Sequence, residues 1–423
     1  MALPIPTGCS SLAEWLDYQL SVHAQEIDMG LERVTQVATR LALTSIEHSK
    51  VITVAGTNGK GSTCAMLETA LLNAGYTVGV YSSPHIIAYN ERVRVNGSHA
   101  VDALFINAFH EIEKARQEIP LTFFEYATLA GLYILKQAAL DVVILEVGLG
   151  GRLDATNIID ADVSVITSID IDHQSYLGDT REAVAFEKAG IFRKNQQAII
   201  GEPNPPSSLL NHGKTLGTQM RQVGIDFAYA EHSNSWCYTT TTQKKLTSAL
   251  PFLPIANAAT CLAVLESSFT DVDLQQAMES VSLTKLSGRF ELLSERPKVI
   301  ADVAHNPHAA AYLAHRVSQL KTHHVYAICG MLDDKDIPGV LLQMVDVVDH
   351  WSLVDLNVPR GAKASLLGQS IRQTAKYSEF DQLFAAWNAI KTQIHDDDVV
   401  IVFGSFYTVS AFKSLMQQEA ICV

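Results

Sequence analysis

Val51-Ile-Thr-Val-Ala-Gly-Thr-Asn-Gly-Lys-Gly-Ser62 decides the fold of this chain. A β-branched run ends in a glycine-rich turn that carries one lysine, and a helix-compatible segment, Thr63 to Asn73, follows at once. Strand, glycine loop and helix N-terminus in that order form a phosphate-binding layout. Gly56, Gly59 and Gly61 permit tight turning and close approach of backbone N–H groups to phosphate oxygens. Lys60 supplies a point charge, and the helix N-terminus adds its partial positive charge. Thr57, Asn58, Gly59, Lys60, Gly61 and Ser62 are therefore the expected nucleotide contacts. The standard Walker A pattern places Ser or Thr directly after Gly-Lys; here Gly61 intervenes before Ser62. A glycine-rich turn with a solvated lysine is the plainer alternative.

Working outward, strand-like and helix-like segments alternate. Val51–Ala55, Thr77–Tyr81, Asp141–Val147, Val163–Ile169 and Gln197–Ile200 read as short buried strands. Thr63–Asn73, Ala103–Glu118, Phe124–Ala138 and Arg181–Ala189 carry apolar residues at helical spacing. Such alternation predicts an α/β fold with a mostly parallel sheet covered by helices on both faces. Irregular stretches rich in Thr and Ser follow Asn204-Pro-Pro206 and span Ser233–Ser248, where short strands or loops are expected. Pro254–Glu266 resumes as a helix. A second series has strands at Lys298–Val303, Val325–Cys329, His350–Val354 and Asp398–Phe403, with helices after Pro307, Ala364, Asp381 and Ser405. The expected organisation is two domains, 1–286 and 287–423, the second smaller and without its own glycine-lysine loop.

Bulk properties narrow the classes. The formal charge of −14 over 423 residues argues against a nucleic-acid or acidic-membrane surface. A polyanionic ligand would need a local cluster such as Lys60, Arg152 and Arg289. Hydrophobic content of 48% with 18% charged residues describes a globular chain. Six cysteines lie scattered without CxxC spacing, which fits reduced thiols better than a disulfide framework or zinc site. No signal-peptide pattern and no bilayer-length apolar run is seen, so a cytoplasmic enzyme is expected. Nothing demands an oligomer, and a monomer is expected.

Several residues could carry chemistry. Ser83, Glu146 and His173 each sit at the end of a predicted strand, which sends all three toward the sheet edge that bears the glycine loop. A hydroxyl, a carboxylate and an imidazole near a triphosphate make a candidate Mg²⁺ site completed by water. A turn serine before Pro84 and a hydrogen-bonded loop histidine are the ordinary readings. Clustered glycines in Glu146-Val-Gly-Leu-Gly-Gly-Arg152 do not form GxGxxG, and a carboxylate there would repel a pyrophosphate unless a cation intervened. Lys188 ends a predicted helix, where a surface lysine is the common case. Asp302-Val-Ala-His-Asn-Pro307 ends a strand and opens a helix, with Pro307 suited to its first turn; Asp302 as a helix cap is the plain alternative. Thr122-Phe-Phe-Glu-Tyr126 offers aromatic faces and a carboxylate, suited to a flat heteroaromatic or simply to core packing.

Taken in order, Thr57-Asn-Gly-Lys-Gly-Ser62, Tyr81-Ser-Ser-Pro-His85, Leu145-Glu-Val-Gly-Leu-Gly-Gly-Arg-Leu-Asp-Ala-Thr-Asn157, Glu187-Lys-Ala-Gly-Ile-Phe192 and Asp302-Val-Ala-His-Asn-Pro307 resemble the Mur ligase superfamily, which joins carboxylates to amines. The ordered set is similar to its bacterial dihydrofolate synthase/folylpolyglutamate synthase branch, from about Ile27 to Tyr407. The resemblance implies ATP as co-substrate and Mg²⁺, in two sites, with Ser83, Glu146 and His173 as ligands. It implies that Lys188 is carbamylated by CO₂ and helps to hold the second metal, which requires a neutral amine and hence a lowered lysine pKa. It places Asn257 at the adenine, Arg289, Asp302 and His305 at the nucleotide from the far side of an interdomain cleft, and Lys60 and Lys188 in catalysis; the base that takes the proton of the attacking glutamate amine is left between Asp302 and His305, with His305 set among the catalytic residues. It assigns Asp28, Met29 and Gly30, Thr122, Phe123, Phe124 and Glu125, and Leu153, Asp154 and Ala155 to the pterin, with Asp154 the preferred anchor. Met29, Phe123 and Asp170 depart from the commonest pattern, which bears on substrate preference.

The implied reaction adds L-glutamate to dihydropteroate and further glutamates to reduced folates through an acyl phosphate. Competing readings are a polyglutamylating ligase only, a Mur-type ligase acting on a sugar-nucleotide peptide, and a nucleotide switch without ligase activity. An N-K-x-D guanine-specificity motif is absent from the sequence.

Overall fold

A computed structural model describes residues 4–22 and 28–421. The chain divides into two units, with the boundary between Thr284 and Lys285.

In the first unit the strands are β1 (Lys50–Ala55), β2 (Val78–Tyr81), β3 (Val93–Val95), β4 (Ser98–His99), β5 (Val142–Glu146), β6 (Val163–Ile166), β7 (Gln197–Ile200) and β8 (Gln219–Gln222). They form one sheet in the order β4-β3-β2-β5-β1-β6-β7-β8. From β2 to β8 every neighbouring pair is parallel. β3 and β4 add an antiparallel edge through a tight Asn96-Gly97 turn with φ of 50° and 77°. Asn-Gly at such a turn is a strong hairpin signal that the alternation argument passes over. A second, three-stranded antiparallel sheet holds β9 (Ala228–Glu231), β10 (Ser235–Thr239) and β11 (Lys245–Ala249). Those strands account for the Thr- and Ser-rich stretch.

The helices of this unit are α1 (Leu12–Val22), α2 (Glu32–Arg40), α3 (Lys60–Asn73), α4 (Asp102–Arg116), α5 (Phe123–Gln137), α6 (Gln174–Leu177), α7 (Arg181–Ala189), α8 (Ser207–Leu216), α9 (Ile255–Ser268) and α10 (Leu274–Leu283). α3 is buried on nearly all sides from Ser62 to Leu71, as a helix sandwiched between sheet and helices must be. It starts at Lys60 rather than Thr63, because Gly59 in the left-handed region serves as its cap. α8 is the clearest departure from expectation. Its first amides, at Ser207 and Ser208, donate to the Glu182 carboxylate on α7, so a tertiary cap supplies what the local sequence does not advertise. The strand expected over Val163–Ile169 ends at Ile166.

The second unit has β12 (Glu291–Glu295), β13 (Lys298–Ala301), β14 (Val325–Cys329), β15 (His350–Val354), β16 (Tyr377–Phe380) and β17 (Val399–Phe403), in the order β12-β13-β17-β14-β15-β16. All pairs are parallel except β12 with β13. Its helices are α11 (Pro307–Ser318), α12 (Ile337–Met344), α13 (Ala364–Ile371), α14 (Leu383–Lys391) and α15 (Phe406–Ile421). The period of two is visible in β17. Val399, Ile401 and Phe403 enter one core with α11, α12 and α13, while Val400 and Val402 enter the other with residues of α14 and α15. A sheet buried on both faces has no polar alternation, which is why its strands read as continuous apolar runs.

Candidate functional site

The first unit assembles its candidate site at one edge of the large sheet. β2, β5, β1 and β6 are adjacent and parallel, so their carboxyl ends share that edge. Ligands in open α/β sheets sit at such edges. The glycine loop leaves β1 there and is bound to the segment that leaves β6. Thr57 N donates to Ser168 O at 2.8 Å and Asn58 N to Ser168 Oγ at 3.0 Å. Thr167 Oγ1 donates to Asn58 O at 2.6 Å, and Thr57 Oγ1 exchanges bonds with the backbone of Asp170. Thr167 and Ser168 were not singled out in the sequence, although two hydroxyl residues at the end of a neighbouring strand are a usable signal. Lys60 Nζ donates to the carbonyls of Gly56 at 2.9 Å and Thr57 at 3.2 Å, which draws the cation over the loop. Asn257, from α9, lies against Gly59: its Oδ1 is 2.4 Å from where a Cβ on Gly59 would stand. A residue far along the chain thus joins the loop.

Glu146 is the last residue of β5 and is 5% exposed. Ser83 follows β2 closely. His173 does not end a strand: it caps α6 with φ of 50°, on the loop that leaves β6, and its Nε2 lies 3.9 Å from Asp172 Oδ2. Among the described residues no group of three or more His, Cys, Asp or Glu side chains forms a ready metal cage. The donors present are instead one hydroxyl, one buried carboxylate and one imidazole along a common edge. Hard oxygen donors in small number suit Mg²⁺, which keeps several waters and takes substrate phosphate oxygens.

Lys188 is not a surface lysine. It is 3% exposed, on the last turn of α7. Burial, and next the charge of Lys60, pull its amine from 10.5 down to about 7, with Asp172 and Asp154 opposing. The ordinary reading of this residue is overturned by packing that a local motif cannot display. Arg152 beside it is paired: its guanidinium meets Glu187 Oε1 at 2.8 Å. His85, in the loop after β2, accepts from Arg92 Nε at 2.9 Å through Nδ1. Burial and then the Arg92 charge hold its pKa down, from 6.5 to about 4.

The three expected pterin segments converge. Thr122 and Glu125 form a reciprocal capping box at the start of α5: Glu125 N donates to Thr122 Oγ1 at 3.1 Å and Thr122 N to Glu125 Oε2 at 2.8 Å. Phe123 stacks edge-on with Tyr89 and carries the Arg92 guanidinium 5.5 Å above its ring. The Phe124 ring tip stands 2.4 Å from the Cβ position of Gly148, and Asp154 Oδ2 stands 3.2 Å from the same point. Asp154 is buried and heavily bonded, accepting from Leu149 N at 2.8 Å, Thr156 N at 3.0 Å and Thr156 Oγ1 at 2.7 Å. Burial pushes its carboxyl up against those bonds. Its visible work is to fold the Leu153–Ala155 loop. Met29 packs on the apolar cluster of Val147, Leu177 and Ala189, next to that loop, and Gly30 follows it. Arg33 reaches both Asp28 and Glu125 and was not foreseen in the sequence.

In the second unit, Asp302 Oδ2 accepts from Phe290 N and Oδ1 from Ala304 N, each at 2.8 Å. Burial pushes the carboxyl up, while the Arg289 charge opposes it. Arg289 lies 5.3 Å over the ring of Phe406, and the His305 ring is 6.2 Å from the same ring. Arg289, Asp302 and His305 are therefore brought together around Phe406, a residue not flagged by its sequence. Asn306 rather than Asp302 caps α11, accepting from Ala309 N at 2.9 Å.

Comparison with known proteins places this architecture. The family model of the Mur ligase middle domain matches residues 54–268, and that of the Mur ligase glutamate ligase domain matches residues 288–406. The dihydrofolate synthase/folylpolyglutamate synthase of Escherichia coli is 47% identical over 406 residues, covering 96% of this chain and 95% of the other. That of Haemophilus influenzae is 43% identical, covering 96% and 98%.

This chain belongs to the dihydrofolate synthase/folylpolyglutamate synthase family of Mur ligases.

The fold agrees with solved members. Escherichia coli FolC in complex with DHPP and ADP superposes with a TM-score of 0.93 at 46% identity, over 98% of this chain and 100% of that one. The Yersinia pestis enzyme complexed with AMPPNP and Mn ion gives 0.92 at 45% identity, again over 98% and 100%. Another family structure holds Mn, AMPPNP and L-glutamate and gives 0.90 at 45% identity, over 97% and 99%. Among the described residues no helix is long and apolar enough to cross a membrane, and the five described cysteines are free.

Proposed function

We propose that this protein is an ATP-dependent ligase that adds L-glutamate to 7,8-dihydropteroate and then adds further glutamates to reduced folates. The observation that carries this reading is Lys188, buried at 3% exposure on the last turn of α7, where burial and then the nearby Lys60 charge pull its amine down to about 7. A simple nucleotide switch has no use for such a group.

The chemistry runs in two steps. A substrate carboxylate oxygen attacks the γ-phosphorus of ATP; the O–P bond forms, the bond to the β-phosphate oxygen breaks, and ADP leaves. The glutamate amine then attacks the acyl carbon, and the tetrahedral intermediate expels phosphate. Loop amides from Thr57 to Ser62 and the Lys60 ammonium hold the phosphates, and Asn257 seats the nucleotide beside Gly59. Ser83, Glu146 and His173 would hold Mg²⁺, which offsets the negative charge of the phosphates when bound. Arg289 and Asp302 are assigned to the nucleotide on the family resemblance.

Lys188, whose amine burial and the Lys60 charge bring down to about 7, is the assigned carbamylation site: its neutral fraction would attack CO₂ through nitrogen and release one proton to solvent. The resulting carbamate would offer oxygen donors that could hold a second metal. The base that accepts the proton of the attacking amine is taken to be His305, with Asp302 as the alternative. The His305 Nδ1 meets the Val303 carbonyl at 2.8 Å, an acceptor, so Nδ1 carries the proton and Nε2 is the basic nitrogen of the neutral ring. Asp28, Met29, Gly30, Thr122 to Glu125 and Leu153 to Ala155 enclose the pterin.

The test is ADP release with Mg-ATP and L-glutamate, supplying dihydropteroate or tetrahydrofolate in separate reactions and weighing the products. Gain of one glutamyl residue on both supports the bifunctional ligase. Gain on tetrahydrofolate alone reduces it to a polyglutamylating enzyme, and gain on neither sinks the reading.

A further inference from the structure

We propose that Arg33 is a positioning residue for pterin recognition, acting by holding the carboxylates of Asp28 and Glu125 in one fixed arrangement. The inference rests on the pterin assignment above and extends it to a side chain outside the assigned segments.

Arg33 lies in the first turn of α2 and reaches two places that are far apart in the chain. Its Nη1 donates to Asp28 Oδ2 at 2.6 Å and its Nη2 to the Asp28 carbonyl at 2.8 Å. The same Nη2 stands 3.3 Å from Glu125 Oε1. The Glu125 carboxylate is thus held at both ends. Oε2 is fixed by the Thr122 amide in the capping box, and Oε1 is buried, makes no hydrogen bond and faces the guanidinium. Arg33 Nε is likewise buried without a hydrogen-bond partner.

Two carboxylates approaching one point repel each other unless a cation stands between them. A planar guanidinium does so while fixing the angle of each; a lysine ammonium has three donors but on one freely rotating nitrogen at the end of a flexible stem, so it does not hold the two carboxylates at fixed angles. Exposure separates the roles. The Asp28 side chain is 34% exposed and the Glu125 side chain 4%, so Asp28 is the member that solvent or a ligand can reach, and Glu125 is the buried anchor that keeps Arg33 in place. A flat heterocycle that presents amino and ring N–H donors is the matching ligand chemistry, because ionised carboxylates only accept. Arg33 touches the carboxylates rather than the ligand.

The experiment compares the wild-type enzyme with Arg33→Ala and Arg33→Lys in full kinetics for dihydropteroate, tetrahydrofolate, ATP and glutamate, together with thermal melting. Arg33→Ala is expected to raise KM for both pterin substrates by roughly 10-fold or more, one lost charge-assisted contact's worth. KM for ATP and glutamate stays within about 2-fold, and Arg33→Lys recovers only part of the loss. Equal change for all four substrates, or a lower melting temperature with unchanged pterin KM, overturns the proposal and leaves a mere clamp between α2 and α5. Should Arg33→Ala not fold, the Arg33→Lys ratio of pterin KM to ATP KM decides alone. Wild-type enzyme that turns over neither pterin substrate instead overturns the assignment on which this rests.

Discussion

The side-chain amide of Asn257 occupies the space that the first carbon of any side chain at Gly59 would need, with Oδ1 at 2.4 Å and Nδ2 at 2.8 Å from that point. Gly59 also sits at φ of 87°, where a Cβ is strained. The loop and α9 are therefore locked to each other through one glycine. Gly59→Ala is expected to cost about 1–3 kcal/mol of stability and to weaken ADP binding by more than 10-fold, because Asn257 must move from its seat. Asn257→Ala keeps the loop and loses only its own contact, so its melting temperature stays closer to wild type. Calorimetric ADP titration of both variants checks the order; equal binding in Gly59→Ala and wild type would show that the loop tolerates the displacement.

Lys188 gives a pH signature. The unfolded chain keeps the lysine proton up to about 10.5, the folded chain only to about 7. Between those values the unfolded state binds more protons, so stability rises with pH; the penalty for burying this amine is largest below about 7 and gone above about 10.5. In metal-free, CO₂-free buffer, the unfolding free energy of wild type minus that of Lys188→Met should climb with pH from about 7 upward, by at most ~1.4 kcal/mol per unit. Urea titrations at several pH values measure it, and a flat difference rejects the neutral amine. Adding labelled bicarbonate should yield a carbamate carbon signal in wild type and none in Lys188→Met.

Much of this site could be read in the chain, and the limits have physical causes. Val51 to Ser62 is legible because strand, turn and helix are consecutive and each is locally encoded. Ser83 and Glu146 follow from the rule that parallel strands share a carboxyl edge. His173 required the loop beyond Ile166, which no periodicity describes. Lys188 was ambiguous for a different reason: burial is a property of what packs on α7, and its sequence neighbours Glu187 and Gly190 do not reveal it. Arg33 escaped because its partners Asp28 and Glu125 meet only after α2 and α5 dock. α8 escaped because its cap, Glu182, comes from another helix.

The proposed Mg²⁺ ligands Ser83, Glu146 and His173 predict a strict metal requirement. Chelation with EDTA should abolish glutamate-dependent ADP release, and excess Mg²⁺ should restore it. Glu146→Gln removes the one buried charge of the set and keeps its shape. It is expected to lower kcat on the order of 100-fold or more and to shift the Mg²⁺ concentration for half activity upward. Ser83→Ala removes a neutral donor and should shift the Mg²⁺ requirement less. Unchanged Mg²⁺ dependence in Glu146→Gln would move the metal elsewhere.

The contact of Phe124 with Gly148 ties the aromatic segment to the loop that follows β5. The ring tip lies 2.4 Å from the Gly148 Cβ position, closer than any real side chain allows, so Gly148→Ala must push the ring away. Asp154, 3.2 Å from the same point, is held by three bonds and cannot yield as easily. The ring therefore moves and Asp154 stays. On the proposal that Phe124 lines the pterin, KM for dihydropteroate and tetrahydrofolate should rise by roughly 10-fold while KM for ATP is unchanged, since the glycine loop is not touched. Phe124→Leu in the Gly148→Ala background relieves the clash and should restore stability without restoring pterin KM. Recovery of both would mean that Phe124 only fills space; recovery of stability alone assigns the ring to the ligand.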